Sequence, residues 1–262
     1  MSWRDIRAGN PIKDALTRGD TVVGSFIRSP STEVVEICAH AGCDFVLIDL
    51  EHSTTGWERT AAMIIAAEAA GTTPIARISN PQRDLITRVL DIGAHGVMVA
   101  QIDSAESAAA VVAATHYGPD GTRGTAGGRG SGWGLRISMA EFQAAANMAT
   151  LVSVQIESRL AVDRVHEIAA VDGLDCVFVG TSDLTTDLGA PGEVDHPQVG
   201  RALDRIHEAC EASGVAVGYT VATSDQAASF LHRGSRLIAT SETGILARSM
   251  SEFIGEVRTF SD

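Results

Sequence analysis

The segment "FVLIDLEHS", Phe45 to Ser53, carries four apolar residues and then Asp49, Glu51 and His52 within four positions. Two carboxylates and an imidazole at the end of a buried run are costly unless they serve chemistry. Similar endings recur along the chain. "TPIAR" ends in Arg77, "VSVQIE" in Gln155 and Glu157, and "CVFVG" runs directly into Thr181, Ser182 and Asp183. On a strand, residues two apart share a face, so Asp49 aligns with Glu51 and Gln155 with Glu157. Glu157 and Asp183 lie one strand–helix unit apart, which places them on neighbouring strand ends, roughly 5 Å from each other. Carboxylates that close repel unless a cation or a shared proton lies between them. Two carboxylates completed by waters and substrate oxygens suit Mg²⁺ or Mn²⁺, and the set admits Co²⁺. The competing reading makes Asp183 an N-cap for "LTTDLG". Arg77 suits a carbonyl or carboxylate, or else a structural ion pair. His52 is suited to proton transfer near neutral pH, directly or through a water. Asp91, in "RVLDIGAHG", falls in the last turn of a helix, where its charge opposes the dipole and hints at another task.

These residues need a frame that brings strand ends together. Eight apolar runs recur, at 21–27, 45–51, 73–78, 96–102, 151–157, 176–181, 215–220 and 236–242. Most are apolar on both faces, as parallel strands covered on both sides are. Ala-rich helical segments alternate with them. Several open on Ser, Thr or Pro and close on Gly, as from Ser31 to Gly42, Pro81 to Gly93 and Ser224 to Gly234. The pattern predicts a single (β/α)8 barrel over residues 1–262, with its site at the C-terminal ends of the strands. An open doubly wound sheet is the alternative, and no Gly-x-Gly-x-x-Gly follows the first strand to support it. The connection "YGPDGTRGTAGGRGSGWGLRIS" (117–138) is too Gly-rich for a helix and reads as a mobile lid or rim loop.

Of the 262 residues 45% are hydrophobic, enough for one sizeable core, and the formal charge is −13. That surface repels nucleic acid and anionic membrane. Cys38, Cys43, Cys176 and Cys210 form no Cys-x-x-Cys pair, and free thiols suit a reducing cytoplasm. The first twenty residues lack a signal-peptide core, and no apolar run approaches the roughly 20 residues needed to cross a bilayer. Lys13 is the sole lysine and lies in the N-terminal segment, so a Schiff-base lysine at a strand end is excluded.

The blocks "FVLIDLEHS", "PIARIS", "VLDIGAHGVMV", "YGPDGTRG", "VQIES" and "VFVGTSDLTTDLG" resemble, in order and spacing, the HpcH/HpaI aldolases. These are metal-dependent class II pyruvate aldolases acting on 4-hydroxy-2-oxo acids, such as 4-hydroxy-2-oxoheptanedioate and 2-keto-3-deoxy sugar acids. "NPIKDALTRGD" and "TGILARS" extend the likeness over nearly the whole chain. The resemblance implies a modified (β/α)8 barrel of the phosphoenolpyruvate/pyruvate type, with its C-terminal helix exchanged between subunits of a homohexamer, a trimer of dimers. It implies a divalent ion on Glu157 and Asp183, with pyruvate chelating it and meeting N–H groups near Ser182 and Asp183. Arg77 neutralises the enolate, His52 shuttles protons oriented by Asp91 of its own or an adjacent subunit, and Asp49 and Glu51 hold metal-bound waters. Substrate contacts are expected from Gln155, Thr181 and Ser182. The loop from Arg123 to Trp133, where the family binds the aldehyde half, makes Arg123 a further candidate. The chain departs from many members at Leu50 (Gly), Ala100 (Pro) and Thr181 (Pro), and Thr181 adds a hydroxyl beside the metal ligand. Other readings keep the enolate but change its fate: oxaloacetate decarboxylation, or a condensation like that of macrophomate synthase. A CoA-ester lyase lacks a basic patch for the CoA phosphates. A non-catalytic metabolite-binding barrel is the reading from outside enzymology.

Overall fold

The computed structural model describes residues 6–260. Eight strands, β1 Val22–Ile27, β2 Phe45–Asp49, β3 Thr73–Ile78, β4 Gly96–Val99, β5 Leu151–Ile156, β6 Cys176–Val179, β7 Ala216–Thr220 and β8 Leu237–Ser241, pair in parallel and in sequence order. β1 also pairs with β8, which closes the barrel. All eight strands fall inside the apolar runs. The runs were continuous because each strand is buried twice. Phe26, Phe45, Leu47, Ile75, Met98, Leu151 and Phe178 fill the barrel interior. Val46, Ile48, Ala76, Val97, Val152 and Val177 face the surrounding helices.

The helices are α1 Pro11–Thr17, α2 Thr32–His40, α3 Trp57–Ala70, α4 Arg83–Asp91, α5 Ala105–Thr115, α6 Met139–Ala149, α7 Arg159–Asp163, α8 Val165–Ala169, α9 Thr181–Asp187, α10 Pro197–Ser213, α11 Ser224–His232 and α12 Glu242–Thr259. Their ends follow local chemistry. The Ser31 hydroxyl accepts the Val34 N–H, and Gly71 ends α3 at φ 88°, which a side chain would resist. α1 closes the barrel floor with Ile12 and Leu16, while Lys13 Nζ lies 3.1 Å from Asp175 Oδ1. Lys13 is therefore at the opposite end from the strand C-termini, as the exclusion of Schiff-base chemistry requires.

Two features differ from the rest of the shell. Residues 117–138 do not reach over the barrel mouth as a lid. Buried Tyr117 packs edge-on against Phe142, Arg123 pairs with Asp91 at 3.0 Å, and Arg129 pairs with Glu68, so the loop docks on the flank beside α3 and α4. Charge pairing with two helix carboxylates outweighs the freedom its glycines confer. α12, in contrast, leaves residues 244–260 exposed throughout, including Leu246, Met250, Phe253, Ile254 and Val257. Among the described residues no helix is long and apolar enough to cross a membrane.

Candidate active site

Strand register assembles the mouth. Asp49 is the Cα partner of Arg77 across β2 and β3. Both side chains turn inward, and Arg77 clasps Asp49 through Nε–Oδ1 at 2.9 Å and Nη2–Oδ2 at 2.5 Å. Asp49 is wholly buried. Burial pushes its carboxyl up, but the Arg77 hydrogen bond and charge, with the His52 and Glu51 amides, outweigh it and hold the group below the usual carboxylate range. Its Oδ1 accepts the N–H groups of Glu51 (3.0 Å) and His52 (3.1 Å), which turns the chain sharply off the strand end. Arg77 Nη1 lies 3.5 Å from Glu51 Oε2, and its guanidinium carbon sits 4.8 Å over the Phe26 ring.

Glu157 emerges just past β5. Gln101 donates its backbone N–H to Glu157 Oε1 at 2.9 Å, and the Gln155 amide donates to Oε2. Gln101 adopts φ 59°, a conformation that a residue with a side chain occupies at a cost. Burial raises the Glu157 carboxyl; the Gln101 amide and Gln155 oppose the shift, while the Asp183 and Glu51 charges add to it, leaving the group at about 7. Asp183 lies within the first turn of α9, whose N-cap is Gly180, so the capping reading of Asp183 does not hold. Gly180 is present for space. A Cβ there would lie 2.6 Å from Gln155 Nε2 and 2.7 Å from Glu157 Oε2. The Gln155–Phe178 register, continued by two places, sets Glu157 opposite Gly180.

The residues fit a divalent cation. Two carboxylates, one raised chiefly by burial and further by the other's charge, adjoin a buried Gln155 Oε1 that has no hydrogen-bond partner. A hard cation with water ligands matches that all-oxygen set. Among the described residues no cluster of three or more His, Cys, Asp or Glu side chains is poised for a metal, so waters or substrate must complete the shell.

A cavity of about 410 Å³ joins Asp49, His52, Arg77, Gln155, Thr181, Ser182 and Asp183. Glu51 and Glu157 do not line it; each contacts a residue that does, Glu51 through Arg77 and Glu157 through Gln155. The His52 imidazole is exposed, with Nε2 at 3.8 Å from Glu51 Oε2. Asp91 and Arg123 are not brought to this mouth. Asp91 ends α4 on the flank and binds Arg123, whose guanidinium stacks 4.6 Å over Tyr117. Within one chain, Asp91 therefore does not orient His52, and Arg123 does not reach a substrate at this mouth. Sequence reasoning missed Arg28, Gln101 and Phe26. Arg28 alone left a signal, as a charge directly after the apolar run "VVGSFI".

Fold and mouth together define a (β/α)8 barrel with a polar cavity at the C-terminal strand ends, the position where barrel enzymes carry their active sites. The chain belongs to the HpcH/HpaI aldolase/citrate lyase family, whose model matches residues 23–249. A 2-keto-3-deoxy-L-rhamnonate aldolase of Klebsiella pneumoniae is 36% identical over 88% of this chain and 86% of its own length. A solved HpcH/HpaI aldolase/citrate lyase family protein from Burkholderia cenocepacia superposes with TM-score 0.90 at 34% identity, covering 95% of this chain and 99% of that one. The citrate synthase SbnG superposes with TM-score 0.84 at 29% identity, over 95% of this chain and 98% of its own.

Proposed function

We propose that this protein is a divalent-metal-dependent aldolase, a carbon–carbon lyase that reversibly cleaves a 4-hydroxy-2-oxo acid into pyruvate, or a close 2-oxo acid, and an aldehyde. One observation carries the reading: of two interacting carboxylates at adjacent strand ends, Asp183 lines one cavity with an arginine that a buried aspartate already holds in place. Glu157 and Asp183 would hold Mg²⁺ or Mn²⁺, with Co²⁺ also suited to the set. When bound, the ion polarises the 2-oxo group and favours the enolate.

Arg77 directs fixed positive charge at the oxygen where negative charge develops. First-turn N–H groups at Ser182 and Asp183 receive the substrate carboxylate, with the Thr181 hydroxyl and Gln155 amide beside it. In cleavage, His52 takes the proton from the 4-hydroxyl, directly or through a water, as the C3–C4 bond breaks. The bonding pair passes into the enolate, and the same imidazole can return a proton to the methylene carbon, releasing the 2-oxo acid. Asp49 orients Arg77, and Glu51 supports both Arg77 and His52.

The reading extends to assembly. The exposed apolar residues of α12 support exchange of that helix with a partner chain, in a hexamer built as a trimer of dimers. In it Asp91 of an adjacent subunit orients His52. Free thiols and the charge of −13 support a soluble, cytoplasmic enzyme with small-molecule partners.

Pyruvate in D₂O tests the central claim. Metal-dependent loss of the methyl NMR signal is expected, and its persistence with Mg²⁺, Mn²⁺ and Co²⁺ would refute the aldolase. A second reading gains support from the likeness to a citrate synthase: the same enolate, released from oxaloacetate or condensed with another oxo compound. Product analysis with pyruvate plus aldehydes, against oxaloacetate alone, separates the two.

A further inference from the structure

Arg77 is not the only guanidinium at the mouth. Arg28 follows β1, and its backbone N–H is pinned by Glu242 Oε1 at 2.8 Å. Its side chain lines the same cavity as Asp49, His52, Arg77, Ser182 and Asp183. Nε donates to the His52 carbonyl at 3.1 Å, and Asp49 Oδ2 lies 4.0 Å away. The two arginines are in different states. Arg77 is nearly buried and its donors are committed to Asp49 and Glu51. Arg28 is half-exposed, and among the described residues nothing accepts a hydrogen bond from its two terminal nitrogens.

Position decides what those nitrogens can meet. In the proposed reaction the 2-oxo acid half occupies the Glu157, Asp183 and Arg77 side. The aldehyde half lies toward His52, which handles the hydroxyl derived from it. Arg28 is tied to the His52 backbone, so its free edge borders the aldehyde half. A guanidinium anchored through Nε retains two parallel N–H donors from Nη1 and Nη2, a fork that fits a carboxylate. We infer that Arg28 is a specificity-determining residue, which selects acceptor aldehydes bearing a carboxylate at their far end.

This inference rests on the aldolase reading, and the test keeps the two apart. Condensation of pyruvate is measured with 4-oxobutanoate and 5-oxopentanoate and with the neutral methyl ester of each, in the parent enzyme and in Arg28→Gln and Arg28→Lys. The quantity compared is the ratio of kcat/KM for acid over ester. Gln removes the charge and is expected to lower that ratio about tenfold in at least one pair, as loss of a half-exposed charge-assisted hydrogen bond does. Lys keeps the charge without the fork, and is expected to fall between parent and Gln. A fall below about threefold in both pairs, including equal losses on acid and ester, overturns the assignment. Methyl-proton exchange of pyruvate requires no aldehyde. Exchange with no change in ratio therefore removes only the role of Arg28, whereas absence of exchange removes the aldolase reading and this inference with it.

Discussion

A single methyl group at Gly180 should disable the proposed metal site without replacing either proposed ligand. The backbone there, at φ −78° and ψ 79°, does not require glycine, so Gly180→Ala carries no large conformational penalty. The cost is contact. The added carbon would sit 2.6 Å from Gln155 Nε2, 2.7 Å from Glu157 Oε2 and 2.8 Å from Glu157 Cβ. Unstrained heavy-atom contacts begin near about 3.5 Å, so the overlaps are roughly 0.7–0.9 Å. Gln155 is buried in the barrel interior and Glu157 is held by the Gln101 amide, so neither can simply swing into solvent. Overpacking of this kind costs about 1–3 kcal/mol. For a domain of this size that lowers Tm by about 2–4 °C per kcal/mol. Displacing the Glu157 carboxylate should weaken Mn²⁺ binding about 10–100-fold, the usual penalty for disturbing the support of a ligand. Free Mn²⁺ measured by electron paramagnetic resonance during titration gives the affinity, and a thermal melt gives the packing cost. A Gly180→Ala protein that binds Mn²⁺ like the parent and melts at the same temperature would refute the reasoning.

Other outcomes follow from the same geometry. Gln101 holds φ 59°, so the β-branched Gln101→Val should lose about 1–2 kcal/mol relative to Gln101→Gly; equal stabilities in urea would show that the left-handed conformation is not imposed. Glu68 is partly buried, which raises its carboxyl, but His95 and Arg129 outweigh this and leave it below the usual range. Its contribution is therefore fully present above the unfolded carboxylate value near about 4.3 and is lost as pH falls through the lower folded value. The gain in Tm between roughly pH 3 and 6 should be smaller in Glu68→Gln, and identical profiles would contradict the pairing. Phe253→Asp places a charge on the exposed apolar face of α12, and light scattering should show a smaller assembly. An unchanged mass would exclude that face from the subunit interface.

The barrel was legible because parallel strands covered on both sides cannot hide their composition: all eight apolar runs became strands. Polar residues at strand ends were legible for the complementary reason, since Asp49, Arg77 and Gln155 interrupt sequences that are otherwise apolar. What one sequence could not supply was the lateral register. That register makes Asp49 the partner of Arg77 and confines Gly180 beneath Glu157. The rim loop misled because its glycines are visible in sequence, while the carboxylates that capture Arg123 and Arg129 come from α4 and α3, 32 and 61 residues away. Asp91 was singled out correctly as misplaced in its helix. Its companion within this chain is an arginine on the flank, which no local spacing encodes. Arg28 was passed over because an isolated charge after a strand is common, and only its bond to the His52 carbonyl distinguishes it.

The clasp between Asp49 and Arg77 has a thermodynamic consequence. Both ions were stripped of water when the barrel closed, so their dehydration belongs to the free energy of folding. A guanidinium fixed in this way need not rotate, shed solvent or draw in a counter-ion when a substrate arrives. In the reaction proposed above, the reorganisation that accompanies charge development in water would thus be largely completed before turnover begins. In the proposed reaction, stability and rate are coupled through this one pair. Substitutions that loosen Asp49 should reduce both, and the loss of rate should set in below the temperature at which the barrel itself unfolds.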